Sequence, residues 1–343
     1  KMEGGLIEKV RICGACGAGG VLLKCACKSE MYCNQGCQKR AWAVHRRKCT
    51  VDLLRKLEKQ RARLGRDAED VGLAASDLGL LFKTQDRLDE AAKWVEEALR
   101  IFRVVYGESS HNESSTLGAL GDIYKRQGRL EEALTTHKLE LRIARRVHGD
   151  ESDQVANQLN GVAVCLQRQG LYDRAMDKFE QAHDMYRSLY GEDHEDVAAV
   201  LGNMAIVLSR QGKDAEALAM QEKALAIRRR TLPPDHQHLA NSLFNLGETY
   251  RRVERLEEGL ATLEEGLGIV RRIHPETHSL EGRFIEGIGT VYRLQGQLDE
   301  AMEMYKKAAR IFRKTVGPES AEVGKALHNI SLVLVEQGKY EKA

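Results

Sequence analysis

Residues 124–133 read Tyr-Lys-Arg-Gln-Gly-Arg-Leu-Glu-Glu-Ala, and residues 292–301 repeat the pattern as Tyr-Arg-Leu-Gln-Gly-Gln-Leu-Asp-Glu-Ala. The second stretch begins four periods of forty-two positions after the first. Two small positions and one turn position recur at this period without a slip. They are Gly79, Gly121, Ala163, Ala205, Gly247, Gly289 and Ser331; then Asp86, Gly128, Gly170, Gly212, Glu254, Gly296 and Gly338; then Ala91, Ala133, Ala175, Ala217, Gly259, Ala301 and Ala343. Such self-similarity is the signature of a repeat protein.

Each period accommodates two helices joined by a short turn. Apolar residues such as Leu117, Leu120 and Tyr124 follow helical spacing before the turn. The small residues allow the helices of a pair to approach closely, and stacked pairs bury the apolar faces that one pair leaves open. The sequence therefore predicts an array of helix pairs over residues 71–343, with six full repeats and a truncated seventh. Because Ala343 aligns with Ala301, we expect the native protein to continue past this point.

The repeat pattern resembles the tetratricopeptide repeat, although the period is longer than that family's usual ~34 residues. The connections at residues 190–198 and 232–240 are similar to those of kinesin light chain repeats, and their His194 and His236 share a register with His278. The resemblance implies an all-α fold, a right-handed superhelical α-solenoid whose first helices line a groove for a partner. The three histidines are expected to be structural in the connections.

A cysteine-rich segment precedes the repeats. Seven of the eight cysteines lie between residues 13 and 49, and no secretory signal precedes them. This usage favours a reduced compartment and metal binding over disulfides. The donors are, in order, Cys13, Cys16, Cys25, Cys27, Cys33, Cys37, His45 and Cys49. Eight such donors supply two closed tetrahedral zinc sites, and a closed site has a structural role. The remaining Cys165 is expected to be a core side chain.

The segment closely resembles a MYND-type zinc finger over residues 13–49, including Tyr32, Gln38 and Trp42. The resemblance implies two interleaved zinc sites, one formed by Cys13, Cys16, Cys33 and Cys37 and the other by Cys25, Cys27, His45 and Cys49. Several members of that family bind proline-containing peptides, so Gln38 and Trp42 are implied peptide contacts, while Trp42 is alternatively the plug of a small core. Cys25 and Cys27 are one residue closer than the family usually has them, which leaves open a strained second site.

The first helices carry candidate peptide contacts at two register positions. One position supplies amides, whose donor and acceptor match an extended peptide backbone, at Asn203, Asn245 and Asn329. The last turn supplies a ladder of arginines that favours an acidic peptide, at Arg126, Arg168, Arg210 and Arg252. A simpler interpretation stays open for each set. The helix dipole favours cations at helix C-termini, and the amides belong to a solvated polar face.

The net charge of +2 hides an asymmetry along the chain. Residues 1–66 contain 16 Lys and Arg against 5 Asp and Glu, whereas the remainder contains 37 against 46. A basic segment favours nucleic acid or acidic proteins as partners. Because it lacks interleaved aromatic residues for base stacking, and because thiolates on zinc would lower its charge, we expect proteins rather than nucleic acid.

No stretch approaches the ~20 apolar residues of a membrane span, and no catalytic constellation or phosphate-binding loop is present. The sequence predicts a non-enzymatic adaptor, cytoplasmic with the nucleus also open. Its predicted parts are a zinc finger at 1–50, a helical connector at 51–70 and the repeats at 71–343. Finger and groove would bind short peptides, and no small-molecule substrate is expected. Two alternatives stay open, a nucleic-acid-associated regulator and a non-catalytic subunit of a larger enzyme complex.

Overall fold

The computed structural model describes the backbone of residues 7–10, 20–24, 31–32 and 50–340, and the side chains from residue 53 onward. Near the N-terminus, three short strands form an antiparallel sheet in the order β1-β2-β3. They are β1 (Ile7–Val10), β2 (Gly20–Lys24) and β3 (Met31–Tyr32). Leu23 pairs with both Ile7 and Tyr32, so β2 is the central strand. The strands lie within residues 1–50, the range predicted for the zinc finger, and precede the repeats.

Residues 50–340 form helices α1 to α14. The first helix of each pair has an even number: α2 (Glu69–Thr84), α4 (His111–Arg126), α6 (Asp153–Arg168), α8 (Glu195–Arg210), α10 (Gln237–Arg252), α12 (Ser279–Leu294) and α14 (Ala321–Glu336). The second helices are α3 (Leu88–Tyr106), α5 (Leu130–His148), α7 (Tyr172–Tyr190), α9 (Asp214–Thr231), α11 (Leu256–Ile273) and α13 (Leu298–Thr315), and α1 (Thr50–Leu64) precedes them all. Successive first helices begin one period apart along the whole array. The predicted array of helix pairs is therefore confirmed.

The turn inside each pair needs a residue in the left-handed conformation. Five repeats have glycine there, with φ between 73° and 78°, namely Gly128, Gly170, Gly212, Gly296 and Gly338. Asp86 and Glu254 occupy the same position in the other two repeats, with φ of 60° and 61°. Because a side chain makes this conformation costly, the periodic glycine is a requirement of the backbone.

The small residues of the period mark points of close helix approach. A Cβ atom on Gly79 of α2 would lie 2.5 Å from Cγ2 of Val95 on α3. A Cβ atom on Gly247 of α10 would lie 2.7 Å from Cγ of Leu263 on α11. Both distances are far shorter than van der Waals contact, so a larger residue would push the pair apart.

The chain divides into two compact units, residues 1–150 and residues 151–343, which we call the N-terminal and C-terminal units. In the N-terminal unit, Leu57 of α1 is buried with Ala75 and Phe102, and Trp94 packs against them. The predicted connector is thus packed on the first repeat. In the C-terminal unit, one apolar cluster extends from α9 to α14. Across the described helices, none combines the length and apolar character needed to cross a bilayer.

Candidate peptide-binding face

The predicted ligands and peptide contacts of the zinc finger lie outside the described residues and stay predictions. They are the zinc ligands Cys13, Cys16, Cys25, Cys27, Cys33, Cys37, His45 and Cys49, and the peptide contacts Gln38 and Trp42. Thiolates and an imidazole are ligands that zinc prefers, so the chemistry of the donor set fits this metal. Within the described residues, no group of three or more His, Cys, Asp or Glu could hold a metal ion. Cys165 is fully buried in α6, as expected of a core side chain.

The first helices have a stripe of residues that the core does not cover, recurring every three or four positions. We call this stripe the open face. In the C-terminal unit it holds Asn157, Asn160, Arg168, Asn203, Arg210, Asn241, Phe244, Asn245, Glu248, Arg251, Arg252, Arg283, Arg293, Lys325 and Asn329. The buried Glu286 accepts hydrogen bonds from Lys325 and Asn329. The open face is therefore rich in amides and cations, which donate hydrogen bonds to carbonyl and carboxylate oxygens.

The three predicted asparagines differ in their partners. Asn203 donates from Nδ2 to Oδ1 of Asn160 at 3.0 Å, and Asn329 donates from Nδ2 to Oε1 of Glu286 at 3.0 Å. Each partner lies on the preceding first helix. The residue at that place before Asn245 is Gly202, which has no side chain to accept a bond. Within the described part of the chain, the Asn245 amide is therefore unpartnered, and it is half-buried.

Two of the four predicted arginines hold neighbouring repeats together. Arg126 donates to the carbonyl oxygen of Lys83 at 2.9 Å and to Asp86 at 2.6 Å. Arg252 likewise donates to the carbonyl oxygen of Ser209 at 2.7 Å and pairs with Asp214. Both guanidinium groups bind the end of the preceding first helix, so they are engaged within the chain.

The other two predicted arginines occupy the same register position. Arg210 of α8 is exposed, and within the described residues it forms no hydrogen bond or ion pair. Arg168 of α6 is exposed as well. Of the four, Arg210 is thus the one whose charge faces solvent without a described partner.

Most further cations of the open face pair with carboxylates. Arg251 donates to Glu248 at 2.9 Å, and Arg293 donates to Glu336 at 2.6 Å. The ammonium group of Lys325 lies 3.0 Å from Glu286. These pairs balance charge locally, so the number of cations in the sequence overstates the positive charge available to a partner.

Sequence reasoning missed an arginine and an aromatic ring on this face. The guanidinium carbon of Arg283 on α12 lies 4.4 Å from the ring centroid of Phe244 on α10. Phe244 meets the buried ring of Phe284 edge-on, with 5.2 Å between centroids. Arg283 is exposed, and among the described residues it has no ion pair. The repeat register could have identified Arg283, because its position lies one helical turn before that of the predicted asparagines. In the seven repeats this position holds Leu73, Ser115, Asn157, Ala199, Asn241, Arg283 and Lys325.

A buried polar pair was also missed, on α5 of the N-terminal unit. His137 and Glu140 are each about 5% exposed, with 3.5 Å between Nδ1 and Oε2. Glycines on α4 make room for them, because a Cβ on Gly118 would lie 2.6 Å from Glu140 and one on Gly121 would lie 2.8 Å from His137. Burial raises the pKa of the Glu140 carboxyl, although His137 opposes the shift. The period could have revealed this residue, since the equivalent positions hold Ala98, Ala182, Ala224, Gly266 and Ala308.

The connection histidines cap the helices that follow them. Nδ1 of His194, His236 and His278 accepts the backbone N–H two residues later, at 3.3, 3.2 and 3.1 Å. Serine hydroxyls cap three other first helices, at Ser110, Ser152 and Ser320. The expectation that these histidines are structural is therefore confirmed, with N-capping as the specific role.

Comparison with protein families gives two matches. The tetratricopeptide repeat profile matches residues 70–146, 113–188, 154–230, 196–272 and 282–343. The MYND finger profile matches residues 13–49. A search of curated proteins found no match.

Solved structures with a similar fold include kinesin-light-chain-like proteins. BtubC (BKLC) from P. vanneervenii is 21% identical, with 68% of this chain and 92% of that chain covered and a TM-score of 0.55. A putative kinesin light chain from Podosopora anserina with nearly identical TPR-like repeats is 20% identical, with 58% and 95% covered and a TM-score of 0.50. A Rap protein complexed with Competence and Sporulation Factor is 13% identical, with 84% and 81% covered and a TM-score of 0.57.

Proposed function

Because this chain belongs to the tetratricopeptide repeat family and contains a MYND finger, we propose that it is an adaptor that binds a short, extended, acidic peptide along the open face of its C-terminal unit. Both modules support a role in protein–protein interaction. The first helices of the C-terminal unit present amides and cations on the open face.

The observation that carries the proposal is the unpartnered amide of Asn245. Both the donor and the acceptor of this half-buried amide are unused by the described residues, so both are available to a ligand. An extended peptide offers an N–H and a carbonyl oxygen at the spacing of one residue, so it satisfies both groups. Asn203 retains its oxygen for the same purpose, since its nitrogen is bonded to Asn160.

The charge of the same face supports an acidic ligand. Arg210 and Arg283 are exposed cations without ion pairs in the described part of the chain. A partner with carboxylates would gain charge-assisted hydrogen bonds from them. That a Rap protein of similar fold was solved in complex with Competence and Sporulation Factor supports the use of this fold for binding a ligand.

The finger would be a second binding module. We propose that residues 1–50 hold two structural zinc ions through the eight predicted ligands, and that Gln38 and Trp42 contact a peptide. Residues 51–70 would connect the finger to the repeats at 71–343. Metal analysis of the purified protein should give about two zinc ions per chain, and one or none would contradict the eight-ligand interpretation.

Selection of peptides from a random phage-displayed library on the full chain tests the main proposal. We expect enrichment of acidic sequences, at least tenfold weaker binding to Asn245→Ala, and weaker binding as salt rises. Gln181→Ala is the matched control, because Gln181 is an exposed amide on the second helix α7. Failure of any peptide to enrich, or equal binding to Asn245→Ala and the parent chain, would contradict the proposal.

A further inference from the structure

The arginines of the open face differ in whether their N–H groups donate to a carboxylate of this chain. Arg251, Arg252 and Arg293 each donate to a carboxylate of this chain. Arg283 has no such partner among the described residues, and its one described contact is the Phe244 ring at 4.4 Å. Its charge is therefore held in place without being neutralised.

The stacked arrangement suits the recognition of a carboxylate. A guanidinium group that lies over an aromatic ring leaves the N–H groups at its edge exposed, and two of them match the two oxygens of a carboxylate. Phe244 is fixed in turn by the buried Phe284. The ring thus restricts the side chain of Arg283 before a ligand binds, which lowers the entropic cost of binding.

Arg283 and Asn245 lie on consecutive first helices, and the Phe244 contact joins those helices. Asn245 directly follows Phe244 on α10, and Gly287 lies one turn after Arg283 on α12. Gly287 is buried, and a Cβ there would lie 3.3 Å from both Glu248 and Leu263, so α10 and α12 approach closely at this point. The nearby carboxylate of Glu248 is bonded to Arg251 and does not compete for Arg283.

We propose that Arg283, held on Phe244, binds an aspartate or glutamate side chain of the peptide whose backbone is bound by Asn245. This inference rests on the proposed function and adds the residue that makes the site prefer acidic peptides. A purely structural stack is the alternative, and it would affect the binding of acidic and neutral peptides equally.

The test uses the strongest acidic peptide from the phage selection, synthesised with blocked ends, and a copy in which Asn and Gln replace its Asp and Glu. Fluorescence anisotropy on the full zinc-loaded chain measures both affinities. We expect Arg283→Gln to weaken binding of the acidic peptide at least tenfold and that of the neutral copy less than twofold. Arg283→Lys, which keeps the charge but loses the planar fork, should show an intermediate loss.

Arg313→Gln is the control, because Arg313 is an exposed arginine of the same unit on the second helix α13. It should bind both peptides as the parent chain does. If Arg283→Gln binds the acidic peptide normally, or weakens both peptides alike, the inference is wrong while the proposed function stands. If the selection yields peptides without acidic residues that still need Asn245, the inference fails and the binding face remains. If no peptide binds the parent chain, both fail.

Discussion

Glu140 of α5 and Gly266 of α11 occupy the same register position three periods apart, yet they fill it in opposite ways. In the N-terminal unit the second helix supplies a long side chain, and Gly118 of the first helix receives it. In the C-terminal unit the second helix has glycine, and the ring of Phe284 from α12 fills the space. At both places the side chain that fills the space lies against a glycine of the neighbouring helix. The group that fills the space is a titratable carboxyl in the N-terminal unit and an apolar ring in the C-terminal unit.

A methyl group on Gly266 should have the largest effect. Its Cβ would lie 2.4 Å from Cε1 of Phe284, whose ring is fully buried. Overpacking of a core typically costs about 1–3 kcal/mol, so we expect Gly266→Ala to reduce the free energy of unfolding of the C-terminal unit by that amount. Urea denaturation followed by circular dichroism measures the change.

Gly268→Ala provides the control on the same helix. The nearest neighbour of its Cβ is the flexible end of Arg272 at 3.4 Å. Since alanine favours helix over glycine by about 0.5–1 kcal/mol, this variant should be as stable as the parent chain or slightly more so. Equal stabilities of the two alanine variants would show that Phe284 does not need the space at Gly266.

Removing the charge of Glu140 tests the other side of the comparison. Burial raises its pKa in the folded state above 4.5, so the contribution of this carboxyl to stability is present at acidic pH and is lost as pH rises through the folded-state pKa. We expect Glu140→Gln to be more stable than the parent chain at pH 7 by on the order of 1 kcal/mol. Its advantage should shrink towards pH 4.5.

Glu132→Gln on the same helix is the control for the stabilisation expected of Glu140→Gln at pH 7. A hydrogen bond from Arg129 lowers the pKa of the exposed Glu132, so its removal should not stabilise the chain at pH 7. Stability curves of the Glu140→Gln and parent chains that run parallel from pH 7 to 4.5 would rule out a titrating carboxyl at this position.

The helix caps offer a second contrast, because serine caps some first helices, such as Ser110, and histidine caps others, such as His278. Burial and the stacked ring of His274 lower the pKa of His278 below 6.5. The unfolded chain therefore binds the proton more readily, and stability falls as pH drops through about 6.5. A serine keeps the cap without titrating. We expect His278→Ser to abolish a loss of up to about 1 kcal/mol between pH 7.5 and 5.5.

Thermal unfolding of the parent and His278→Ser chains at pH 7.5 and 5.5 measures the contribution of His278. This contribution is the pH-dependent change in stability of the parent chain minus that of the variant. The other capping histidines are present in both chains, so their contributions to the pH dependence cancel. A contribution of zero would mean that the imidazole cap survives protonation, which the loss of its Nδ1 acceptor does not allow.

The smallest effect is expected at the turn position. Glu254 has φ of 61° where five other repeats have glycine. Glu254→Gly should raise the free energy of unfolding by about 0.5–1 kcal/mol, because glycine adopts this conformation without steric cost. Asp86→Gly should gain less, since Asp86 also pairs with Arg126. Denaturant midpoints rank the two variants, and a larger gain at Asp86 would contradict the order.

The regular period of the sequence was enough to predict the helix pairs and the turn positions. Gly128 is required by the turn backbone and Gly247 by close helix packing, and both requirements act within one helix pair. Because every pair has the same requirements, the residues that meet them recur at the same positions of the sequence. The opposite fillings at Glu140 and Gly266 depend on residues of neighbouring helices. A sequence read one position at a time does not reveal such compensation, although alignment of the repeats exposes Glu140 as unusual.

The open face was predicted less completely than the fold. The register of Asn245 is visible in the sequence, but its lack of a partner depends on Gly202 on the preceding helix. Arg252 looks like any last-turn arginine, and only three-dimensional placement shows that it binds the carbonyl oxygen of Ser209. Arg283 escaped notice because it lies in the first turns of α12, away from the last-turn cations. The zinc ligands remain predictions.

The packing of α1 on the first repeat bears on how the two modules can be separated. Leu57 is almost wholly buried, and Arg61 lies over Trp94 and pairs with Glu97. A protease or an engineered truncation that cuts after residue 64 would strip an apolar cover from α2 and α3 and leave the trimmed repeats prone to aggregate. A cut just before Thr50 would leave that cover attached, which makes it the safer boundary for studying repeats and finger apart.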